Sequence, residues 1–566
     1  MCTIVNKIKR SVSPSLYTLL SPCKGERGRD LLLVFCVLLL ASCLDENPRD
    51  QLPEEEAYDS ATNLYLNSVA TLYNYIGGQA DGEGLQGTIR GVYDLNTFTT
   101  DEAILPTRGG DWYDGGLWQT LYTHQWTESD KPFQNAWNYL YKVIVMCNHS
   151  ISNIERHSAM LTEVQRLAYE AEVRAVRAMY YFYLCDLFGR VPMVVSADVP
   201  VTEVQQSMRS EVFRFAFNEL QAAAPLLPAE RSNREGIYYG RVTRPVAWFL
   251  LAKLALNAEV LSDDNWTDAA RPSGETLMFT VGDSSMNAWQ TCVAYCDSLA
   301  RFGYQLETDY AANFAIHNEA SSENIFTIPM DKMLYANQYC YLFRSRHYNH
   351  GSALGLGAEN GTSATRSAML TYGYGTDEVD RRMALNTYGD TVRVDGKVVM
   401  LDDGSPLIYM PLQVAPDLSG SAYEKTGGAR MAKYEVDRTA YSDGKLQEND
   451  IVLFRYADVL LMKAEALMRQ GLDGSAQFDA VRQRAGMAVR PLTEENLLAE
   501  RLMELHWEGW RRQDMVRFGR FHRAYDLRSP LSGETSGYTT VFPIPGSVLE
   551  LNQNLTQNDG YQERRK

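Results

Sequence analysis

A short run of aromatic and charged residues has the composition of a ligand-binding loop. Its members are Arg108, Asp111, Trp112, Tyr113 and Asp114, with Gly109-Gly110 and Gly115-Gly116 around the central four. Glycine pairs let the backbone turn sharply on either side. Trp112 or Tyr113 is suited to lie flat under a pyranose ring, because weakly positive C–H groups favour the negative face of an aromatic ring. The arginine and the two aspartates supply donors and acceptors for vicinal oxygens.

Two further tryptophans, Trp118 and Trp126, follow this run closely. Each has two possible roles, either packing the loop onto the rest of the fold or contacting the ligand. Aromatic residues on loops that are placed by a rigid scaffold are often functional. We include Trp118 with the loop residues as a predicted ligand contact.

Catalytic patterns are weak elsewhere in the chain. Asp101-Glu102 and Asp377-Glu378 are carboxylate pairs of the kind a glycosidase needs, but neighbours in sequence rarely face one substrate. The eight histidines lack zinc-protease spacing, and no Gly-x-Ser-x-Gly segment occurs. Residues 355–361 are rich in glycine but have the wrong spacing for a dinucleotide loop. The sequence therefore predicts no catalytic, metal-binding or cofactor-binding site, and it leaves open whether calcium stabilises the loops.

Composition excludes some partners. The formal net charge is −17 over 566 residues and, because residues 1–42 carry six basic and two acidic side chains, −21 without them. Phosphate contacts need clustered Lys and Arg, so no nucleic acid is expected as a partner. The five cysteines after Cys43 are an odd number without zinc-site spacing, and we expect them to be buried small hydrophobic residues.

The N-terminus has the parts of a secretory leader. Basic residues precede the apolar run 31–40, which is followed by Ala41-Ser42-Cys43. The run is shorter than the roughly 20 residues that span a bilayer. Leu40-Ala41-Ser42-Cys43 resembles the bacterial lipobox, which predicts that residues 1–42 are removed and that Cys43 carries a lipid anchor. Asp45-Glu46 resembles the surface-export signal of Bacteroidetes lipoproteins.

Apolar residues at steps of three and four predict a mostly α-helical protein. The predicted helices are 57–76, 132–154, 163–188, 208–226, 244–261, 285–302, 451–470, 474–486 and 493–512. Many are joined by short connections, as in antiparallel helix pairs stacked into a solenoid such as a tetratricopeptide array. We therefore expect a helix-pair superhelix with long irregular loops and a few short strands.

The domain organisation follows from these patterns. We expect residues 43–56 to form a lipidated tether and residues 57–566 to form a single domain. Its helical scaffold is expected at about 57–76, 130–302 and 451–525, and its loop-rich ligand-binding parts at about 77–129 and 303–450. Loops of this length are usually functional or disordered, and their aromatic content argues against disorder. Within them, Val392, Val394 and 396–399 predict a hairpin.

Several segments resemble a known family, the SusD/RagB outer-membrane nutrient-binding lipoproteins. The resemblance is carried by the segments 171–192, which ends in Phe-Gly-Arg-Val-Pro, 454–467 (Phe-Arg-Tyr-Ala-Asp-Val-Leu-Leu-Met-Lys-Ala-Glu-Ala-Leu), 481–486, 500–514, 542–545 and 557–561. They extend over the whole chain after the leader. Charged residues within them are seldom buried unless paired, so we interpret them as structural. They are Arg455, Asp458, Glu465, Glu508 and Asp514.

The resemblance implies a mostly helical body with tetratricopeptide-like helix pairs and no catalytic activity. It implies a lid over a SusC-like TonB-dependent transporter that captures a nutrient, usually a glycan, at the outer membrane and facing the cell exterior. The stretch 99–127 is similar to a loop block near the sugar site of glycan-binding members. Peptide capture of the RagB type stays open as an alternative, as does, less favoured, an extracellular glycoside hydrolase.

A second aromatic group is expected to complete the sugar platform, as it does in family members. It comprises Tyr335, Tyr339, Tyr341 and Tyr348, with Asn337 and Gln338. The sequence follows no fixed family pattern here. From this group we predict ligand contacts by Tyr335 and Asn337.

Overall fold

The structure is a computed structural model that describes residues 57–562, with the exception of 269, 336 and 442. Residues 57–59 belong to a separate unit, and the described residues from Ser60 onward form one compact unit.

The predicted leader 1–42, the lipid-bearing Cys43 and the tether 43–56 lie outside the described residues. Among the helices that are described, none combines the length and apolar character needed to cross a membrane.

Helices dominate the described part of the chain. The α-helices are α1 (Ala61–Tyr65), α2 (Thr71–Tyr73), α3 (Val92–Thr97), α4 (Leu117–Thr123), α5 (Lys131–Arg156), α6 (Glu163–Phe188), α7 (Arg209–Ala223), α8 (Arg244–Leu256), α9 (Ala258–Leu261), α10 (Ala288–Phe302), α11 (Cys340–Ser345), α12 (Tyr348–Leu354), α13 (Arg366–Thr371), α14 (Arg382–Asn386), α15 (Tyr456–Arg469), α16 (Ser475–Arg484), α17 (Glu494–Leu505), α18 (Arg511–Arg517) and α19 (Gly546–Leu551). A π-helical turn, Leu66–Ala70, joins α1 to α2.

Short helical turns and strands occupy the connections. The 3-10 turns are Asp114–Gly116, Ser158–Met160, Val201–Glu203, Ala224–Leu226, Tyr310–Phe314, Asn318–Ala320, Glu534–Ser536 and Tyr538–Thr540. The strands are β1 (Ala103–Ile104), β2 (Met278–Val281), β3 (Ser284–Asn287), β4 (Asn324–Ile328), β5 (Ser363–Ala364), β6 (Thr387–Tyr388), β7 (Asp390–Thr391), β8 (Arg393–Val394), β9 (Lys397–Val398), β10 (Ile408–Tyr409), β11 (Arg430–Met431) and β12 (Ile451–Arg455). They form antiparallel two-stranded pairs: β1–β5, β2–β3, β4–β12, β6–β11, β7–β10 and β8–β9.

The long helices stack side by side. Helix α5 packs on α6, α6 on α7, α8 on α10, α10 on α15, and α15 on α16. Apolar side chains from these helices form one large buried core. This arrangement confirms the predicted fold class, a mostly helical body of paired helices with long loops and a few short strands.

Local capping explains why the sequence predicts some helices so closely. Helix α6 begins after Thr162, which makes a reciprocal capping box with Gln165, and it ends at Gly189 with positive φ. Helix α5 carries Pro132 in its first turn, where the missing N–H costs nothing. Both helices occupy nearly the predicted range because their end signals are local in sequence.

The predicted helix 451–470 is wrong in its first five residues. Residues 451–455 form strand β12, which pairs antiparallel with β4 through Ile451–Ile328 and Arg455–Asn324. Both faces of β12 are buried. A short apolar run buried on both sides has no periodicity that separates strand from helix. Helix α15 begins at Tyr456.

Buried ion pairs hold the scaffold helices together. Arg455 contacts Glu323, Glu504 and Glu508, and all four side chains are almost fully buried. Asp458 bonds with Lys253 and Arg501; Glu465 and Asp514 bond with Arg517. Every charge in this network has a partner, as a buried charge requires. The structural interpretation of the five charged family residues fits this packing.

The loop-rich parts carry ordered structure of their own. Within 77–129 lie α3, α4 and β1; within 303–450 lie α11 to α14 and several strands. The predicted hairpin is present as β8 and β9, which turn at Asp395 and Gly396. The five cysteines after Cys43 are free and buried, as expected.

Candidate functional site

The loop around Trp112 adopts a strained backbone. Trp112 has φ of +60° and Asp114 has φ of +42°, and Gly109, Gly115 and Gly116 also have positive φ. Left-handed conformations cost a non-glycine residue roughly 1–2 kcal/mol. Such strain is kept where the surroundings over-determine it, often at a ligand site.

The indole of Trp112 is fixed at both ends. Its Nε1 donates a hydrogen bond of 2.7 Å to the backbone oxygen of Glu359. Its ring meets Trp118 edge to face at 6.2 Å between centroids. Trp112 itself is half-buried, whereas the side chain of the next residue, Tyr113, is 58 % exposed. The loop therefore offers one anchored and one free aromatic side chain to solvent.

Asp111 connects this loop to helix α12. Its Oδ2 accepts from the Tyr348 phenol at 2.8 Å and from Lys425 Nζ at 3.1 Å. Burial and the hydrogen bond to Asp111 raise the pKa of Tyr348 to about 12, so its phenol stays protonated. We name the surface formed by Asp111, Trp112, Tyr113, Asp114 and Tyr348 the Trp112 face.

A separate pair of side chains, Arg90 and Trp118, holds Asp114. Its Oδ2 accepts from Arg90 Nη2 at 2.7 Å and from Trp118 Nε1 at 2.9 Å. Arg90 also donates to Asp81, and its guanidinium lies over the Trp118 ring at 5.7 Å. These contacts support the loop from beneath through Trp118, which is itself buried.

Two hollows adjoin the Trp112 face. One has a volume of about 650 Å³ and is lined by Tyr348, Asn349 and residues of the β8–β9 hairpin. The other has a volume of about 610 Å³ and lies beside Arg90, Asp114 and Lys131. The face with its hollows has room for more than one ring of an extended ligand.

The side chain of Arg108 does not reach the surface of the loop, contrary to the prediction. Its side chain is fully buried and donates to the backbone oxygens of Gly361, Glu424 and Gly427 and to Ser363 Oγ. Burial and the nearby guanidinium of Arg430 lower its pKa. Because its N–H groups already donate to protein oxygens, this guanidinium has no donor left for a sugar. The predicted ligand contact by Arg108 therefore disagrees with the position of its side chain. The residue instead ties the loop to 361–363 and 424–427. Trp118 is likewise buried and supports the face from below.

Two family models match the chain. One, described as the SusD family, matches residues 412–561, and the other, described as starch-binding associating with outer membrane, matches 52–256. The chain belongs to the SusD/RagB family. This agrees with the helical fold and with the segments that carry the resemblance.

Relatives extend along most of this SusD-family chain. The starch-binding protein SusD of Bacteroides thetaiotaomicron is 26 % identical over 535 residues, covering 86 % of this chain and 87 % of SusD. A SusD-like protein of Bacteroides ovatus is 23 % identical, with 88 % and 83 % covered.

Solved structures share the fold. A SusD-like carbohydrate-binding protein from Bacteroides fragilis superimposes with a TM-score of 0.66 at 19 % identity, covering 88 % of this chain and 99 % of its own. Surface glycan-binding protein A from Bacteroides thetaiotaomicron, solved in complex with laminarihexaose, gives 0.65 at 19 % identity, with 87 % and 98 % covered.

The second aromatic group of this SusD-family protein does not join the Trp112 face as one set. Tyr348 reaches Asp111, whereas Tyr339 and Tyr341 are buried. Tyr335 and Asn337 line a different cavity, of about 720 Å³, which shares no lining residue with the face. The predicted single platform is therefore divided between two places.

Some residues that hold the face in place were not predicted from the sequence. Arg90 and Lys425 lie far from the loop in sequence and carry no motif, and Glu359 contributes only its backbone oxygen to Trp112. Only contacts over long sequence separations identify them. Among the described residues, no group of His, Cys, Asp and Glu is arranged to hold a metal ion.

Proposed function

We propose that this protein binds an oligosaccharide or polysaccharide nutrient at the Trp112 face and catalyses no reaction on it. The observation that carries the proposal is the pairing of an anchored, half-buried Trp112 with the exposed ring of Tyr113 on a strained loop. An indole that is already fixed loses little conformational entropy when a sugar stacks on it.

The polar groups around the two rings suit sugar hydroxyls. Asp111 and Asp114 present carboxylate oxygens, Tyr348 a phenol and Lys425 an ammonium group. Tyr348 and Lys425 both donate to Asp111, whereas Asp114 is held by Arg90. Donors and acceptors that the protein already holds in place are pre-oriented, so each new bond to a hydroxyl costs little rearrangement. Relatives that are named starch-binding or were solved with laminarihexaose support a glucan-like ligand.

We further propose that the protein works at the outer membrane, anchored by lipid on Cys43, facing the cell exterior. There it hands the glycan to a SusC-like TonB-dependent transporter. The family model described as associating with outer membrane supports this location. The leader, the lipobox-like residues around Cys43 and Asp45-Glu46 support export and anchoring.

Glycan binding is tested with protein that begins after Cys43, using a glycan array followed by calorimetry on each sugar that binds. We expect Trp112→Ala to weaken binding by at least about tenfold, equivalent to about 1.4 kcal/mol. Trp248→Ala is the matched control, because Trp248 is also half-buried but lies in α8 and packs on Phe302.

The outcomes separate the alternatives. Unchanged affinity in a folded Trp112→Ala protein contradicts the assigned face. Peptides that bind where no glycan does would support the RagB type of capture instead. Release of shortened products from a bound oligosaccharide over hours would support a hydrolase, and we expect none.

A further inference from the structure

A cavity beside the first helices is lined by tyrosines and shares no lining residue with the Trp112 face. Its walls include Tyr65, Tyr73, Tyr75, Tyr239 and Tyr335. Its volume of about 720 Å³ falls within the range of small-molecule sites. We call it the tyrosine cavity.

We propose that the tyrosine cavity is a second saccharide-binding site, which takes an uncharged sugar segment independently of the Trp112 face. This proposal takes the class of ligand from the proposed function but assigns it to another place in the fold.

One buried carboxylate fixes the first wall. Glu172 accepts from the phenol of Tyr73 at 2.6 Å and from Tyr65 at 3.4 Å. It also receives a bidentate pair from Arg241, at 2.9 and 2.7 Å. Three side chains that line the cavity are thus held by a single group, and they need no ordering when a ligand arrives.

A second buried carboxylate fixes another part of the lining. The Tyr239 phenol donates to Asp450 at 2.7 Å. The same carboxylate accepts from the backbone nitrogen of Met330, at the start of the segment that carries Tyr335. Gly240 permits the close approach of this wall, because a Cβ there would lie 2.3 Å from Pro329.

The remaining lining groups suit a neutral polyol. The phenols of Tyr75 and Tyr335 have no hydrogen-bond partner among the residues that the structure describes, and Asn74 and Gln79 present exposed amides. Tyrosine rings give a stacking surface, and phenols and amides both donate and accept. Exposed Leu334 and Ile237 also line the cavity and offer apolar contact to the C–H face of a sugar.

The cationic side chains that line the cavity already have partners within the protein. Arg241 donates hydrogen bonds to Glu172 and to the backbone oxygen of Ile237. Lys142 lies 3.5 Å from Glu83 and sits over the Tyr75 ring at 4.5 Å. An ionic ligand would meet no unopposed charge on these walls, so uncharged sugars are favoured over acidic ones.

The segment 76–91 separates the two sites. Ile76, Gln79 and Glu83 line the tyrosine cavity, whereas Arg90 bonds with Asp114 on the other side. We therefore expect a change within one site to leave the side chains of the other in place.

The test uses the protein that begins after Cys43 and a panel of neutral oligosaccharides that includes laminarihexaose and starch fragments. Binding is measured by calorimetry and by saturation-transfer NMR in Trp112→Ala, and again with Tyr75→Ala and Tyr335→Ala added. We expect Trp112→Ala to keep residual sugar binding that falls at least about tenfold in the triple variant. Tyr441→Ala is the control, since Tyr441 is similarly exposed but outside the cavity lining.

The residual binding should respond little to added salt, because no free charge takes part.

The possible outcomes each support or overturn one of the two sites. Loss of all binding in Trp112→Ala, or residual binding unaffected by the two tyrosine changes, overturns the second site and leaves the Trp112 face intact. Binding that depends on the cavity tyrosines but not on Trp112 overturns the proposed face instead. A wild-type protein that binds no sugar in the panel overturns both.

Discussion

The phenol of Tyr239 donates a 2.7 Å hydrogen bond to the buried carboxylate of Asp450. Asp450 also accepts from Thr327 in β4 and from the backbone nitrogen of Met330. One carboxylate therefore joins the 237–241 connection, strand β4 and the segment that leads to Tyr335. Burial raises the pKa of Asp450 to about 7 in spite of these donors.

The raised pKa makes stability depend on pH in a defined direction. The ordinary pKa of this carboxyl group is 3.8, so folding takes up a proton between about pH 4 and pH 7. The free energy of unfolding contributed by Asp450 therefore falls as pH rises through that window and is constant above it. Relative to Asp450→Asn, the wild type should lose on the order of 2 to 4 kcal/mol between pH 4 and pH 7.

Urea unfolding of both proteins at several pH values measures this difference, and the variant serves to cancel all other titrating groups. Tyr239→Phe is the companion variant, because loss of a donor to the carboxylate should raise the pKa of Asp450 further and move the window upward. Parallel pH profiles for wild type and Asp450→Asn would contradict the assignment.

A buried acid in the scaffold should behave in the opposite way. Burial alone would raise the pKa of Asp458, but the ammonium of Lys253 and the guanidinium of Arg501 outweigh it and lower the pKa to about 2. This contribution to stability is present above about pH 4 and is lost as pH falls toward 2. Asp458→Asn leaves the buried ammonium of Lys253 without its carboxylate partner, while Arg501 keeps Asp514, and should cost about 3–5 kcal/mol at neutral pH.

The measurement is chemical unfolding at neutral and acidic pH, where the difference from wild type should shrink in acid. The control is Asp395→Asn, which removes an exposed pair with Arg438 and should cost less than about 1 kcal/mol. Asp395 has φ of +50°, a conformation that asparagine also tolerates. Equal costs for the two variants would show that burial is not what makes the Asp458 pairs strong.

The sequence predicts features whose causes are local. Helix α6 was predictable because Thr162, Gln165 and Gly189 lie at its own ends. Strand β12 was not, because its partner β4 lies more than a hundred residues earlier and the pairing leaves no local pattern. The same reason applies to the site, where the glycines and Trp112 mark the loop but nothing nearby indicates that Arg108 turns inward to distant carbonyls.

Arg108 should therefore affect stability rather than ligand contact. Arg108→Ala removes hydrogen bonds to four groups and leaves the buried carbonyl oxygen of Gly361 without a donor among the described residues. We expect a loss of about 2–4 kcal/mol in the free energy of unfolding. Arg108→Lys should recover only part, because an ammonium lacks the planar fork that reaches several oxygens. Chemical unfolding measures both variants.

Sugar affinity separates this role from direct contact. Measured under conditions where Arg108→Lys is fully folded, affinity should lie within about threefold of wild type, a difference below 1 kcal/mol. A tenfold loss of affinity in a folded, stable variant would instead indicate that Arg108 contacts the ligand.

Substitution of Arg90 should weaken sugar binding at the Trp112 face but not in the tyrosine cavity. It bonds both Asp81 and Asp114 and lies over the Trp118 ring, so it braces the loop of the Trp112 face without lining the tyrosine cavity. Arg90→Ala should weaken sugar binding at the face by about three- to tenfold, since it removes charge-assisted hydrogen bonds to two carboxylates, which are stronger than ordinary hydrogen bonds. Arg90→Lys should keep the charge but lose the second bond, so its sugar affinity should lie between those of wild type and Arg90→Ala.

In the Trp112→Ala background, adding Arg90→Ala should have no effect on sugar binding, because the binding that remains there lies in the cavity. A further loss of binding on adding Arg90→Ala to Trp112→Ala would mean that the two sites are coupled through 76–91, contrary to their proposed independence.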